Sequence, residues 1–150
     1  PLRSADDRDA CRAGLCDGTL DAIATDHAPH AQHEKELDFT EAPPGLIGFE
    51  TAAAVTLDLV RTGELSPLEW VRRLSTNPAR VLSRPGGTLA VGSVADITLI
   101  DPERVWRYDP AKGWSKSRNS PWAGAELTGR VVATLVGGRW VYDVERGVLV

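Results

Sequence analysis

The spacing of apolar positions changes several times along the chain, and each change marks an element. Ser4, with Asp7 three residues on and Asp6 beside it, has the form of a helix start with acids in the first turn. The helix it predicts runs to about Asp17 and stops at Gly18. Leu20-Asp21-Ala22-Ile23-Ala24-Thr25 is a short, mostly apolar run that reads as a buried strand of a parallel sheet. Residues 26–44 are polar, rich in His, Glu and Pro, and have no clear period, the pattern of a functional or disordered loop. Phe49, Ala53, Thr56, Leu57 and Val60 then keep the spacing of one helix face, closed by Gly63.

Ser66-Pro67-Leu68-Glu69 is a capping box with proline at the first helical position, and Leu65 with Trp70 makes a candidate hydrophobic staple. The helix that follows is expected to turn Leu68, Val71 and Leu74 inward, and Pro78 to open a further short helix through Leu82. Beyond Arg84-Pro85-Gly86-Gly87 the period changes to that of strands. Ala95 to Ile100 is one strand, and Val131 to Val136, Gly137-Gly138 and Arg139 to Val144 read as a hairpin with a two-residue glycine turn. The order is helix, strand, long loop, three helices, then β. It predicts an α/β chain: the C-terminal end of a (β/α)8 barrel over residues 1–84, and strands of a small β-sandwich over residues 85–150. One strand-helix unit cannot close a barrel by itself, so the chain is expected to be part of something larger.

Composition narrows the function. A formal net charge of −4 lacks the basic face that nucleic-acid binding needs. No apolar run approaches the roughly 20 residues that span a bilayer, so no membrane partner is expected. Pro1-Leu2-Arg3-Ser4 has no apolar stretch with a cleavage site, and the chain has no initial Met, which suggests that it begins mid-protein. Cys11 and Cys16 sit five apart in the first helix, where they would not face one another, so no disulfide is expected. A cytoplasmic location is the default.

The densest chemistry is Thr25-Asp26-His27-Ala28-Pro29-His30, with His33, Glu34 and Lys35 just beyond, directly after the expected strand. In a barrel of this kind the C-terminal strand ends carry the active site, and a carboxylate there can both bind a metal and take a proton from bound water. The same residues also suit a turn cap and a solvated, histidine-rich loop. The Asp-x-x-x-His spacing does not choose between the two, and three histidines in a loop do not make a zinc site without geometry.

Longer motifs do choose. Ile23 to His30 followed by Glu34-Lys35, Pro43-Pro44-Gly45-Leu46-Ile47-Gly48-Phe49-Glu50-Thr51, Ser75-Thr76-Asn77-Pro78-Ala79, Gly92 to Asp101 and Ser115 to Trp122 together resemble, in order and spacing, the class I dihydroorotases of the amidohydrolase superfamily. The resemblance implies zinc-dependent, reversible hydrolysis of dihydroorotate to N-carbamoyl-L-aspartate in pyrimidine biosynthesis. Asp26 would be the catalytic carboxylate and a metal ligand. His30 would contact the substrate carboxylate, and Pro44 and Gly45 would meet the substrate ring through their backbone. Where the family often has Phe, Pro44 lacks an N–H donor. His27 is expected to support the loop and His33 to be solvated.

The family's His-x-His pair, its bridging acidic or modified residue, two further histidines and a substrate-binding Asn lie upstream of the matched region. This chain therefore offers an incomplete zinc site, for one or two ions, and is expected to be inactive alone. The implied partners are the missing N-terminal part of the same enzyme, a second copy in a homodimer, and aspartate carbamoyltransferase. The alternatives are another cyclic-amide hydrolase of hydantoinase or allantoinase type, and a non-catalytic dihydroorotase-like partner of aspartate carbamoyltransferase.

Overall fold

The computed structural model describes residues 4–149. Helices occupy the first part of the chain: α1 (Ala5–Asp17), α2 (Gln32–Lys35), α3 (Ala52–Thr56), α4 (Asp58–Arg61), α5 (Pro67–Val71), a π-helical turn (Arg72–Thr76) and α6 (Asn77–Val81). Strands occupy the rest: β1 (Ile97–Arg107), β2 (Glu126–Val136), β3 (Arg139–Asp143) and β4 (Gly147–Val148), in one antiparallel sheet of order β1-β2-β3-β4. A 3-10 turn, Pro110–Lys112, lies between β1 and β2. Among the described residues this is one mixed helix and sheet unit, with neither a closed barrel nor a second sheet.

The helix ends follow from their caps. Ser4 accepts from the Asp7 N–H, the Asp7 carboxylate accepts from the Ser4 N–H, and Gly18 closes α1 at φ 90°. Ser66 and Glu69 repeat the box at α5, with Pro67 at the first turn. Those hydrogen bonds hold the Glu69 carboxyl below its ordinary value, the Ser66 side chain contributing most. Leu65 and Trp70, the two residues of the expected staple, are both buried in one cluster with Leu57 and Leu59.

Three expectations are corrected. Leu20–Thr25 forms no strand, and Leu20 is exposed. A strand needs a neighbouring strand to pair with, and here the Ile23 N–H donates instead to the Arg73 carbonyl, 2.9 Å away. Leu68 and Val71 are exposed rather than inward. Trp70 takes the buried face, its indole N–H donating to the Thr56 hydroxyl at 2.9 Å, and the 100° step per residue turns Leu68 and Val71 away. Finally, Pro78 does not open a separate helix. The helix continues from α5 into α6 through the π turn, where the Asn77 N–H reaches back five residues to the Arg72 carbonyl. Pro78 has no N–H for the Leu74 carbonyl, and its ring crowds the preceding turn; a widened turn relieves both.

That π turn matters for the site. It leaves the Arg73 carbonyl without its usual partner, Asn77 N–H, and the Ile23 N–H takes it. The Asn77 carboxamide donates to the Asp21 carbonyl at 2.9 Å, and Arg80 reaches the Asp21 carboxylate at 3.1 Å. The helix thus grips residues 21–23, immediately before Asp26. The helices and the sheet are joined by Arg61, whose guanidinium donates to the Pro102 and Thr128 carbonyls. The expected hairpin is present, with Gly137 and Gly138 both at positive φ between β2 and β3, as a two-residue turn requires. Cys11 and Cys16 are free thiols. No described helix is long and apolar enough to cross a membrane.

Candidate active site

Asp26 stands at φ 45°, in the left-handed region that aspartate enters more readily than most side chains. The kink turns the chain out of the 21–25 segment and into a single parallel bridge, His27 to Leu46, reinforced by the Ala28 N–H donating to the Leu46 carbonyl at 2.9 Å. Asp26 and Gly45 each precede one partner of that bridge, so the two ends of the long loop are brought to neighbouring main-chain positions. Asp26 itself is exposed.

His27 holds the join. Its Nδ1 accepts from the Gly48 N–H at 3.1 Å, which places the proton of the neutral ring on Nε2. The same ring stacks on Phe49, centroids 3.8 Å apart and planes within 4°. This is the loop support expected of His27, and it explains why Phe49, counted above as a helix-face residue, precedes α3 and remains largely exposed.

His30, Pro44 and Gly45 come together. The His30 Nε2 lies 3.1 Å from the Pro44 carbonyl oxygen and acts as donor there; its Nδ1 is 3.8 Å from Glu34, close enough for an ion pair when the ring is protonated. Glu34 meanwhile accepts from the Ala31 N–H and closes the first turn of α2. Gly45 has φ 135°, and a β-carbon there would come within 2.7 Å of the Ala28 Cβ and 3.1 Å of the His30 Nε2. Only glycine fits. The Gly45 N–H donates to no group among the described residues, whereas its carbonyl accepts from both Lys35 and Asn119. His33 is exposed on α2, as expected.

Residues 26–44 are therefore not a featureless loop. They carry α2 and are closed by hydrogen bonds between residues 27–30, 35 and 43–48. Lys35 and Asn119 were visible in the sequence as parts of longer motifs, but without a role. Their shared contact joins positions 35, 45 and 119, and no local pattern announces it.

A cavity of about 750 Å³ lies next to the site, between Phe49, Glu50 and Trp114 on one side and Trp106, Tyr108 and Tyr142 on the sheet side. It is lined by His27 but not by Asp26, His30, Pro44 or Gly45. At its wall the Glu50 Oε1 accepts from the Trp114 and Ser115 N–H groups, while Tyr108 is buried, which pushes its hydroxyl pKa up. Among the described residues no three His, Cys, Asp or Glu side chains are close enough to hold a metal ion. Asp26 can contribute one ligand, and the residues present do not make a metal site by themselves.

The chain is similar to known proteins over nearly its whole length. A model described as "Amidohydrolase family" matches residues 2–141. The chain is 54% identical over 143 residues to a protein named dihydroorotase from Anaeromyxobacter dehalogenans (strain 2CP-C), covering 95% of this chain and 33% of that protein. It is 52% identical over 142 residues to one of the same name from Syntrophotalea carbinolica, again covering 95% and 33%. Among solved structures, an L-hydantoinase (dihydropyrimidinase) from Arthrobacter aurescens superposes with a TM-score of 0.91 at 32% identity, over 100% of this chain and 34% of that one. The chain spans about a third of the length of the curated relatives it matches.

Proposed function

The chain belongs to the amidohydrolase family, and from that premise we propose that it is the C-terminal portion of a dihydroorotase, interconverting dihydroorotate and N-carbamoyl-L-aspartate in pyrimidine synthesis. Residues 1–84 would complete the end of a (β/α)8 barrel and residues 85–150 a β-sandwich, the rest coming from the remainder of the enzyme. The observation that carries the proposal is the closure of His30 on Pro44 beside the His27–Leu46 bridge, with Asp26 next to that bridge in sequence, in a chain 54% identical to a protein named dihydroorotase. Identity to the solved hydantoinase with the TM-score of 0.91 is lower, at 32%.

The chemistry assigned to this chain is modest and specific. Water adds to the ring carbonyl, and Asp26 accepts its proton and returns it to the ring nitrogen as the carbon–nitrogen bond breaks. The product is the open carbamoyl acid, with atoms and charge balanced. The free Gly45 N–H supplies a donor for the ring, and His30 a donor for the substrate's carboxylate. Zinc belongs to the complete enzyme, with Asp26 as this chain's single ligand; polarising the carbonyl is the chemistry it would supply. A homodimer and association with aspartate carbamoyltransferase belong to the same proposal.

The test is hydrolysis of dihydroorotate, hydantoin and dihydrouracil by the complete protein, together with the reverse cyclisation. Preference for dihydroorotate is expected. Faster turnover of hydantoin would move the assignment to the hydantoinases, whose fold this chain shares.

A further inference from the structure

The Gly45 carbonyl is held from two directions. The Asn119 Nδ2 donates to it at 2.6 Å, and the Lys35 ammonium at 3.2 Å, while also donating to the Pro43 carbonyl at 2.6 Å. The Asn119 main-chain carbonyl meanwhile accepts from the Ile47 N–H at 2.9 Å. One residue of the β1–β2 connection thus fastens the 45–47 segment at both ends, and one residue of α2 fastens its Gly45 end as well. All these contacts fall on main-chain atoms.

We propose that Lys35 and Asn119 are positioning residues that fix the direction of the Gly45 N–H for substrate. The assignment rests on the reading of Gly45 as a ring-binding donor. The physical need is plain. Glycine has the widest backbone freedom of any residue, and freedom at a binding donor must be surrendered when substrate binds, weakening affinity. Gly45 cannot be replaced by a stiffer residue, because Ala28 and His30 leave no room for a β-carbon. Rigidity has to come from outside the residue. The His30 bond to the Pro44 carbonyl orients the peptide that carries the Gly45 N–H, and the Lys35 and Asn119 bonds orient the next peptide. With both planes fixed, the N–H points away from His30, because the two groups of a trans peptide are opposed.

The variants are chosen to leave the fold alone. Asn119→Asp keeps shape and the main-chain bond to Ile47 but replaces the donor with an oxygen facing an oxygen. Lys35→Met removes the ammonium, and Lys35→Arg restores donors. In the complete enzyme, kcat/KM for dihydroorotate should fall about tenfold in Asn119→Asp and in Lys35→Met, chiefly through KM, and recover substantially in Lys35→Arg. Bound metal per chain should not change. Deuterium exchange of peptides covering residues 43–48 should be faster in both damaged variants. Faster exchange with kcat/KM within about twofold of wild type would overturn the positioning role, as would unchanged exchange. If Asn119→Asp fails to fold, the Lys35→Met and Lys35→Arg pair decides alone. Failure of the wild type to turn over dihydroorotate would sink the functional reading instead, and the exchange comparison would still decide whether the clamp exists.

Discussion

The His30 Nε2 donates to the Pro44 carbonyl across 3.1 Å, so the imidazole proposed to read the substrate's carboxylate is already engaged with its own loop. Carboxylate binding must then use the Nδ1 of a doubly protonated ring, now beside Glu34, or exchange one Nε2 acceptor for another. Either way a charge-assisted bond is gained, and His30→Ala should lower kcat/KM for dihydroorotate by roughly ten- to a hundredfold. A neutral ring such as dihydrouracil should lose only the share due to the tie on the Pro44 carbonyl, and so should be affected less. The ratio of the two kcat/KM values checks this: an unchanged ratio leaves His30 as a loop fastener only.

Asp26→Asn separates geometry from chemistry. Asparagine also tolerates the left-handed backbone at this position, so the kink and the His27–Leu46 bridge should survive. The proton acceptor is lost, and turnover by the complete enzyme should drop by about two to four orders of magnitude. A variant keeping half the wild-type rate would remove Asp26 from the reaction.

Residues 1–150 alone should show no hydrolysis of dihydroorotate above the solvent rate, even with zinc added. The described residues gather no three metal-binding side chains, whereas a catalytic zinc takes about three protein ligands. Measured turnover would show that the ligand set is complete without further chain.

Thr56→Val tests the join between α3 and α5. The Thr56 hydroxyl accepts the Trp70 indole N–H and donates to the Ala52 carbonyl. Valine keeps the volume but strands a buried donor, at a cost of about 1–3 kcal/mol, read as a lower urea midpoint in equilibrium unfolding. A midpoint equal to that of wild type would mean that the indole finds another acceptor.

Acid should weaken the contact between α1 and the turn after α4. The Arg12 guanidinium, by hydrogen bonding, holds the Glu64 carboxyl below its ordinary value of 4.5. A depressed carboxyl adds stability that is present above its unfolded value and is lost as the pH falls through the lower folded value. Unfolding of Glu64→Gln should therefore depend less on pH than wild type below about pH 4.5, with no such difference near neutrality. Parallel curves for the two proteins would discount the pair.

Much of the frame could be read from sequence because its signals are local. Ser4 with Asp7, Ser66 with Glu69, and Gly137-Gly138 each dictate a cap or turn through neighbours only a few positions away. Local signals misled where a distant partner decides. The apolar run Leu20–Thr25 has the composition of a strand, yet its Ile23 N–H is claimed by Arg73. The Leu68 and Val71 positions fit an inward face until Trp70, tied to Thr56, takes it. The candidate site shows the same division. Asp26, His30 and Gly45 lie in recognisable motifs, whereas the left-handed Asp26, the His27–Phe49 stack and the convergence of Lys35 and Asn119 on one carbonyl depend on contacts between remote positions.

The π turn at Arg72–Thr76 sets a rule for how this stretch can change length. It holds one residue more than a regular helix would, and that surplus exposes the Arg73 carbonyl to Ile23. A single-residue deletion there would regularise the helix, since the bulge absorbs the surplus while the helix on either side keeps its phase, and would bring the Pro78 ring against an ordinary helical turn. The ties of Asn77 and Arg80 to Asp21 depend on that phase, whereas the tie of Ile23 depends on the bulge itself. Substitutions along the exposed face can accumulate without touching these ties, but the loss of one codon within the turn would reset the one that holds Ile23.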